Sequence, residues 1–408
     1  MLTDPQREEL HSSIVGYLRG RCDLGLANAV GEALGVGDLS AESSSDALLE
    51  RKWAALVRMQ RKILDLEAAN AQLQTDLKAA RSTPAEGAGA ASGSVANYLP
   101  RAPPKFVLEG HRGRVACVAL HPKYALLASG CEDGSVKIWD YEQGELERTL
   151  KAHTRAVHGA CFAPFSGELV TCSADLSVKV WTDFANTRTL LGHDHTVSCV
   201  AVGAVGMKEY VFSGSRDKTV RVWELSTGFL VDVLRMHSDW VRSVDTMQVG
   251  DTPYILSAGS DRVVMLRRWG DSSDECRQYA AHRHVIECCK FAPPSSHRFI
   301  ARQYPALAET DLCFASAGRD NVIYVWTSSA DRPIMTLTGH DSWVQGLAFH
   351  PSGRFLVSVA DDKTMRIWDL ANARLAKTLP AHDHFVSCVA WHNKTVATGS
   401  VDQSVRVW

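Results

Sequence analysis

The stretch Ser213-Gly214-Ser215-Arg216-Asp217-Lys218-Thr219-Val220-Arg221-Val222-Trp223 decides the fold, because its pattern returns along the chain. It places a hydroxyl, an Asp four residues later and a Trp six residues after the Asp. A Gly-His pair, Gly192-His193, stands upstream of it. The same four marks recur at His-to-His intervals of 40 to 58 residues, so the chain is built from one repeated structural unit.

Seven such units follow one another along the sequence. The His marks are His111, His153, His193, His237, His282, His340 and His382. The hydroxyl and Asp marks are Ser129/Asp133, Thr171/Asp175, Ser213/Asp217, Ser257/Asp261, Ser316/Asp320, Ser358/Asp362 and Thr398/Asp402. The Trp marks are Trp139, Trp181, Trp223, Trp326, Trp368 and Trp408, with Arg267 in the fourth unit.

A repeat of this length with Gly-His and Trp-Asp marks is typical of the WD repeat, in which four antiparallel strands form one blade of a β-propeller. Alternating runs such as 135–139 fit its strands. No outer strand follows Trp408, so we expect Lys105–Leu108 to complete the seventh blade and remove a free sheet edge. The sequence therefore predicts an all-β, seven-bladed propeller over residues 105–408.

Each unit contains the residue types of a hydrolase triad, but an active site occurs once and this set occurs seven times. We interpret the set as structural: in the third unit, His193 bridges Asp217 and Ser213, and Ser213 reaches the indole of Trp223. Nucleophile-elbow, phosphate-loop and zinc-protease motifs are lacking in the sequence. We therefore expect no enzyme activity, no bound metal and no cofactor.

Residues 46–81 predict a coiled coil, because apolar residues repeat with heptad spacing at positions a and d. A polar Asn at one a position favours a parallel dimer with fixed register over a helix packed on the propeller. The seam residues that we expect to mediate dimerisation are Leu56, Ile63, Leu66, Asn70 and Leu73. Residues 82–104, rich in Gly, Ala and Ser and then in Pro, predict a linker.

Residues 1–38 predict a small helical dimerisation motif. Asp4-Pro5 fits a helix start, and Leu10, Ile14, Tyr17 and Leu18 fall on one helical face. A segment of this size buries too little surface to fold alone, so we expect it to associate with a second copy.

The composition limits the location and the partners of the chain. Lys+Arg 44 against Asp+Glu 46 gives a net charge of −2, which disfavours nucleic acid as a partner. We expect no signal peptide and no membrane insertion, since no apolar run approaches ~18 residues. Eleven Cys without a Cys-x-x-Cys pair indicate a reducing compartment rather than a disulfide framework.

One face of the predicted ring gathers cations and aromatic side chains. Residues just before the turn Asp and shortly after the Gly-His emerge there. On units three to six these positions hold Arg216, Trp240, Arg242, Arg319 and Trp343, and Lys363 directly follows the turn Asp of unit six; we call these six residues the Arg/Trp sector. Because Trp and Arg dominate interface hot spots, the sector predicts a site for an acidic protein surface. The extra residues Pro293–Thr310 in unit five, on the opposite face, are either a tolerated loop or a second contact site.

The whole plan resembles the lissencephaly-1 family of dynein-regulating WD-repeat proteins, known in animals as regulatory subunits of platelet-activating-factor acetylhydrolase IB. The likeness covers nearly the entire chain. The segments that most resemble the family are residues 48–53, 100–105, 215–219, 339–344, 360–364, 381–386 and 399–405. One example is Gly339-His340-Asp341-Ser342-Trp343-Val344. The chain departs from the family in two places: Cys22 and Asp23 replace a Gly and an aromatic, and Arg267 replaces a Trp. We expect the fourth blade to lack one indole hydrogen bond or to shift register by two residues.

The resemblance implies a homodimer with a lissencephaly-homology motif, a coiled coil and a seven-bladed ring. It implies that the ring binds the motor domain of cytoplasmic dynein through Arg216, Arg242, Arg319, Trp343 and Lys363, and that NudE-family coiled-coil proteins are partners. Dynactin and the acetylhydrolase catalytic subunits are further implied partners. The implied roles are microtubule-based transport, nuclear migration and mitosis, and the implied locations are the cytoplasm, cytoskeleton, centrosome or other microtubule-organising centre, and spindle.

Two other functions compete with dynein regulation. WD propellers also serve as substrate receptors of ubiquitin ligases, but no Trp-Asp-x-Arg box follows a blade Trp here. Regulation of an acetylhydrolase complex is supported only by the family resemblance. Co-purification of a dynein heavy chain, a ligase scaffold or a serine hydrolase would separate the three.

The coiled-coil seam generates a prediction about assembly. The full chain should be a parallel dimer at micromolar concentration, whereas a fragment beginning at Pro100 should be a monomer, as measured by light scattering. Asn70→Leu should stabilise the coil and relax its dimer specificity, because the buried amide no longer fixes the register. A monomeric full-length chain would contradict the prediction.

Overall fold

The computed structural model describes residues 99–250, 252–270 and 276–408. They form seven four-stranded antiparallel sheets, so the predicted seven-bladed WD-repeat propeller is confirmed. The predicted dimerisation motif 1–38, the coiled coil 46–81 and the linker up to residue 98 lie outside the described residues. So do the predicted dimerisation residues Leu10, Ile14, Tyr17, Leu18, Leu56, Ile63, Leu66, Asn70 and Leu73.

The first four blades follow one another in the sequence, and each runs from its innermost to its outermost strand. Blade one contains β2 (Val115–Leu120), β3 (Leu126–Cys131), β4 (Ser135–Asp140) and β5 (Glu145–Lys151). Blade two contains β6 (Val157–Phe162), β7 (Leu169–Ser173), β8 (Ser177–Thr182) and β9 (Ala185–Leu191). Blade three contains β10 (Val197–Val205), β11 (Lys208–Ser215), β12 (Val220–Glu224) and β13 (Leu230–Leu234). Blade four contains β14 (Val241–Val249), β15 (Thr252–Gly259), β16 (Val264–Arg268) and β17 (Cys276–Tyr279).

The last three blades repeat this plan. Blade five contains β18 (Ile286–Phe291), a 3-10 turn (Pro294–Ser296), the short helix α1 (His297–Ile300), β19 (Cys313–Gly318), β20 (Val322–Thr327) and β21 (Met335–Thr338). Blade six contains β22 (Val344–Phe349), β23 (Phe355–Ala360), β24 (Thr364–Asp369) and β25 (Arg374–Pro380). Blade seven contains β26 (Val386–His392), β27 (Thr395–Ser400), β28 (Val405–Val407) and, from upstream in the chain, β1 (Phe106–Leu108).

The ring closes through β1. This strand pairs antiparallel with β28, with Phe106 opposite Val407 and Leu108 opposite Val405. The innermost strand of each blade contacts that of the next, and β26 contacts β2, so the contacts run round the whole circle. The predicted closing strand is therefore confirmed.

Apolar residues fill the spaces between neighbouring blades. Val170 and Val178 of blade two pack with Val211 and Trp223 of blade three, all of them buried. The fit is tight at Gly214 of blade three, where an added Cβ would lie 2.7 Å from a methyl group of Val241 in blade four. A side chain there would push adjacent blades apart, so the core limits the sequence of the strands as well as their apolar content.

The extra residues of blade five lie between β18 and β19, as predicted. Because the strands are antiparallel, this connection is at the opposite end of the blade from the turn that carries Asp320. It packs against the next blade, where the Ser295 hydroxyl donates to the carbonyl of Pro351 at 3.0 Å. The insertion is therefore part of the packed ring surface, and its use as a second contact site stays a prediction.

The repeated marks form a buried hydrogen-bond network, as blade three illustrates. The indole N–H of Trp223 donates to Ser213 at 2.9 Å, and Ser213 lies 2.8 Å from Nε2 of His193. Nδ1 of His193 lies 2.7 Å from the Asp217 carboxylate. Since the carboxylate can only accept, Nδ1 carries the proton and Nε2 accepts from the hydroxyl, so a neutral imidazole satisfies every group.

The full network recurs in blades two, five, six and seven, which confirms the structural interpretation for these blades. Blade four lacks the indole. Arg267 pairs with Ile255, as Trp223 pairs with Val211, so the register is not shifted. Of the two expectations for this blade, the lost indole bond is right and the register shift is wrong.

Blade one departs from the pattern in a way that the sequence analysis did not predict. His111 bonds Ser129 at 2.6 Å, and Trp139 bonds the same hydroxyl at 2.8 Å. The second ring nitrogen of His111, Nδ1, is buried and makes no hydrogen bond to Asp133. The carboxylate keeps the bonds from the amide and hydroxyl of Ser135, at 2.8 and 2.6 Å, which match those that Asp217 accepts from Thr219 in blade three. The hydrogen-bond network of blade one therefore runs from Trp139 through Ser129 to His111 and does not reach Asp133.

Comparison of blades one and three predicts how much the His–Asp hydrogen bond contributes to the free energy of unfolding. Burial acts to raise the pKa of Asp217, but hydrogen bonds from His193 and Thr219 outweigh it and hold the pKa well below its usual range. Asp217→Ala leaves a buried N–H of His193 without an acceptor and should lower the free energy of unfolding by about 1–3 kcal/mol. Asp133→Ala removes the same turn bonds but no bond to His, so urea unfolding should show a clearly smaller loss. Equal losses would contradict the assignment.

Burial of His111 predicts a pH dependence. Burial, helped by the Lys137 ammonium, lowers the pKa of His111 to about 4, against a weaker opposite effect of Asp133. Between about pH 6.5 and 4 the unfolded chain therefore binds a proton that the folded chain does not, and the free energy of unfolding falls as the pH falls through this range. His111 should account for a loss of about 1–2 kcal/mol by about pH 5. Urea unfolding of His111→Asn should show a smaller drop between neutral pH and about pH 5 than the native sequence; an equal drop would refute this role.

Candidate protein-binding site

The turns that carry the Arg/Trp sector are tied to the segments before the innermost strands. The amide of Arg216 donates to the carbonyl of Thr196 at 2.9 Å, and the amide of Arg319 donates to Val285 at 2.9 Å. The amide of Ser260 donates to the carbonyl of Trp240 at 2.8 Å. These bonds bring the residue before each turn Asp next to the residues after the Gly-His mark. Both sets therefore emerge on one face of the ring, as predicted.

Trp240 lies between two guanidinium groups. The guanidinium carbon of Arg216 lies 3.4 Å from the centre of an indole ring, and that of Arg242 lies 5.4 Å from it. Such cation–π contacts hold the cations over the aromatic face. Arg216 is exposed, whereas Trp240 and Arg242 are half-buried. The contacts join blades three and four.

Trp343 and Arg319 form a second cation–π pair, which joins blades five and six. The guanidinium carbon of Arg319 lies 4.3 Å from the indole centre. Trp343 keeps 41% of its surface exposed, which is unusual for the largest apolar side chain. An aromatic face of this size beside a cation has the chemistry of an interface hot spot.

Glu287 connects the two pairs. Its carboxylate accepts from Arg242 at 3.2 Å and from Arg319 at 2.6 Å, and only 9% of its side chain is exposed. Each of these two Arg side chains is 25% exposed. The carboxylate fixes the two guanidinium groups in place and reduces their summed charge from two to one.

The sequence analysis missed Glu287, although a signal was present. Glu287 stands five residues after His282, the spacing that separates Arg242 from His237. Cations and aromatic side chains at these positions predict the sector, whereas an acidic residue at the same spacing was not included. Two of the four predicted cations are therefore paired with a carboxylate, which the sequence analysis did not include.

Lys363 is separate from this connected set. It lies exposed in the turn between β23 and β24 with φ +68°, and its side chain makes no hydrogen bond or ion pair with the described residues. Its turn is nevertheless tied to Trp343, whose carbonyl accepts from the amide of Asp361 at 2.9 Å. The structure thus brings five of the six predicted residues together and places the sixth in the turn beside them.

The central channel, about 640 Å³ in volume, opens beside the sector and is lined by the innermost strands. Arg242 and Glu287 lie at its wall, with His158 of blade two. Burial and the nearby Arg114 guanidinium lower the pKa of His158, with a further contribution from Arg242. The imidazole therefore stays neutral at neutral pH and adds no charge to the wall.

The seven hydroxyls of the repeated networks have no exposed surface, so none can meet a substrate. The ten Cys of the described residues are unpaired thiols. Within the same residues no helix is long and apolar enough to cross a membrane.

The ring and its repeated networks together define a WD-repeat propeller. In agreement, the family model "WD domain, G-beta repeat" matches residues 102–140, 144–182, 184–224, 331–369 and 373–408. Blade four, which lacks its Trp, and most of the lengthened blade five fall between the matched segments.

The chain belongs to the PAC1/nudF family of nuclear distribution proteins, which confirms the resemblance to the lissencephaly-1 family. It is 42% identical to the nuclear distribution protein PAC1 of Gibberella zeae over 89% of this chain and 82% of the relative. Identity is 40% with nuclear distribution protein nudF of Aspergillus niger, over 89% and 83% of the two chains. It is 41% with nudF 1 of Talaromyces marneffei, over 89% and 81%.

Proposed function

We propose that this protein is a non-catalytic regulator of the microtubule minus-end-directed motor cytoplasmic dynein. Its relatives are named for nuclear distribution, a process that depends on moving a large organelle along the cytoskeleton. Its role is accordingly in microtubule-based transport, nuclear migration and the positioning of the mitotic spindle or centrosome. The corresponding locations are the cytoplasm, the cytoskeleton, the microtubule-organising centre and the spindle.

The observation that carries the proposal is the connected set from Arg216 to Trp343 across four blades. In it, Glu287 holds the guanidinium groups of Arg242 and Arg319 at 3.2 and 2.6 Å. A binding site whose cations are already fixed loses less side-chain entropy on association. This arrangement suits a preformed contact with an acidic surface on the motor domain.

The charge and shape of the sector define what it recognises. Arg216 and Lys363 are exposed cations at its ends, and Trp343 offers apolar surface between them. A helix or loop that presents carboxylates on either side of an apolar residue would match all three. Electrostatic attraction then speeds the encounter, while burial of the indole slows dissociation.

The assembly around the ring follows from the segments upstream of it. The helical motif 1–38 and the coiled coil 46–81 pair two copies, so that each dimer presents two rings to the motor. NudE-family coiled-coil proteins are proposed partners, with dynactin and acetylhydrolase catalytic subunits as further candidates. The two copies raise the effective concentration of the second ring once the first is bound.

Two substitutions test the binding face. Arg319→Glu removes an attractive cation and adds repulsion, and Trp343→Ala removes buried apolar area. Each should weaken binding to purified dynein motor domain by about 2 kcal/mol or more if the residue lies at the centre of the interface. Trp343→Ala should barely move the melting temperature, because Trp343 takes no part in the repeated networks. Arg319→Glu should lower it, because the substitution removes a partner of Glu287, whose side chain is only 9% exposed, and places a second carboxylate beside it; its binding is therefore measured at a temperature where the ring is folded.

Matched controls lie away from the sector. Arg374→Glu makes the same charge change on the exposed outer strand of blade six, and Phe229→Ala removes an aromatic side chain that is 74% exposed. Glu132→Ala alters an exposed residue of the same face outside the sector. All three should bind the motor normally. Native affinity in both Arg319→Glu and Trp343→Ala, with the fold intact, would falsify the proposed face.

Salt dependence gives an independent measurement of the same interface. Raising the salt concentration should weaken binding of the native protein, because mobile ions screen exposed charges. A variant with Arg216, Arg242, Arg319 and Lys363 all neutralised should show a shallower dependence. An unchanged slope would show that these cations do not face the motor.

A further inference from the structure

The His of blade one is an exception among the seven blades of the described ring. In blades two to seven, Nδ1 of the repeated His lies 2.7–2.9 Å from the carboxylate of the repeated Asp. In blade one, His111 is only 5% exposed and its Nδ1 makes no hydrogen bond. A buried polar atom without a bond costs free energy, which calls for a ligand that the fold itself does not supply.

Cys131 is a second feature that distinguishes blade one from other blades. Cys131 stands two residues before the turn Asp, where blades two, three and seven have a Ser: Ser173, Ser215 and Ser400. In those blades the Ser hydroxyl accepts from the amide of the Asp at 3.1 Å. Cys131 is fully buried, whereas Asp133 is exposed. A soft sulfur ligand therefore lies directly behind the nitrogen that lacks a bond.

The three potential ligand atoms lie close together. A ring nitrogen of His111, the sulfur of Cys131 and a carboxylate oxygen of Asp133 are all within 4.8 Å of one another. Nδ1 is the nitrogen available to a ligand, because Nε2 already bonds Ser129 at 2.6 Å. Ligand atoms at about 2.0–2.3 Å from a tetrahedral zinc ion lie roughly 3.3–3.8 Å apart. The 4.8 Å limit is wider than that spacing, so a bound ion would draw the three ligand atoms together.

We propose that His111, Cys131 and Asp133 bind a zinc ion in the first blade of the ring. Imidazole nitrogen, thiolate sulfur and carboxylate oxygen are all established zinc ligands, and three protein ligands leave one position for water. The thiol proton is released to solvent when the zinc–sulfur bond forms. The site lies in the turn after β3, a turn equivalent to the one that carries Arg216 in blade three.

The surrounding hydrogen bonds fit a metal on Nδ1. With Nδ1 bound to the ion, Nε2 carries the proton and donates to Ser129, which still accepts from the indole of Trp139. The Ser129 hydroxyl can then donate to the carbonyl of Lys137, which lies 3.5 Å away. Such second contacts fix the orientation of a metal-bound imidazole. The Lys137 ammonium opposes a dication, but the thiolate and the carboxylate supply two negative charges that offset it.

Cobalt(II) is the probe for this site, because it takes zinc positions and its bond to a thiolate gives a charge-transfer absorption band. The full chain, stripped of metal with a chelator, should bind one Co²⁺ with this band, and an equivalent of Zn²⁺ should abolish the band. Cys131→Ser should fold, since Ser occupies the equivalent position in three other blades, and should lose both the band and one equivalent of zinc. Absence of the band in the native sequence would overturn the proposal.

Two further variants test whether the metal is bound at this site rather than elsewhere in the chain. Cys276→Ser changes a half-buried thiol on the outer strand of blade four and should leave the band unchanged. Asp133→Asn changes an exposed side chain and should weaken zinc affinity at least about tenfold, as measured by competition with a chelating dye. A band that persists in Cys131→Ser, or unchanged affinity in Asp133→Asn, would place the metal elsewhere and refute this site.

Discussion

The buried hydrogen-bond network of each blade is the interaction on which the ring depends. A hydroxyl, an imidazole and an indole are removed from water, and each must find a partner inside the protein. The network of blade three links the turn that carries Asp217 to the strand that contains Trp223, so it holds the blade together across its width. Because the same turn carries Arg216, the rigidity of the buried network extends to the binding face.

Apolar packing then sets how the blades fit together. Inner strands from neighbouring blades meet closely enough that Gly214 has no room for a methyl group. Because the blades cannot move apart, the turns of blades three to six stay at a fixed spacing. Contacts such as that between Arg216 and Trp240 therefore join residues from different blades without any need for a flexible loop.

Sequence reasoning recovered the features that depend on periodicity. The blades, the closing strand β1 and the lost indole at Arg267 all follow from spacing, since each mark has a fixed place in the strand register. It failed where the outcome depends on a side-chain choice within a correct backbone. His111 and Asp133 have the standard spacing, yet the imidazole and the carboxylate do not bond each other, although the carboxylate keeps its turn bonds to Ser135. Glu287 was overlooked because its significance comes from its bonds to Arg242 on blade four and to Arg319 on its own blade, which spacing alone does not pair.

The closing strand has a consequence for synthesis of the chain. Phe106 emerges from the ribosome 301 residues before Val407, the residue with which it pairs. At about 5–20 residues per second, this interval lasts roughly 15–60 s. During that time blade seven does not exist, and the edges of β1 and of the half-built ring have no neighbour. Unpaired strand edges attract other chains, so the nascent protein is open to association with them until the circle is complete.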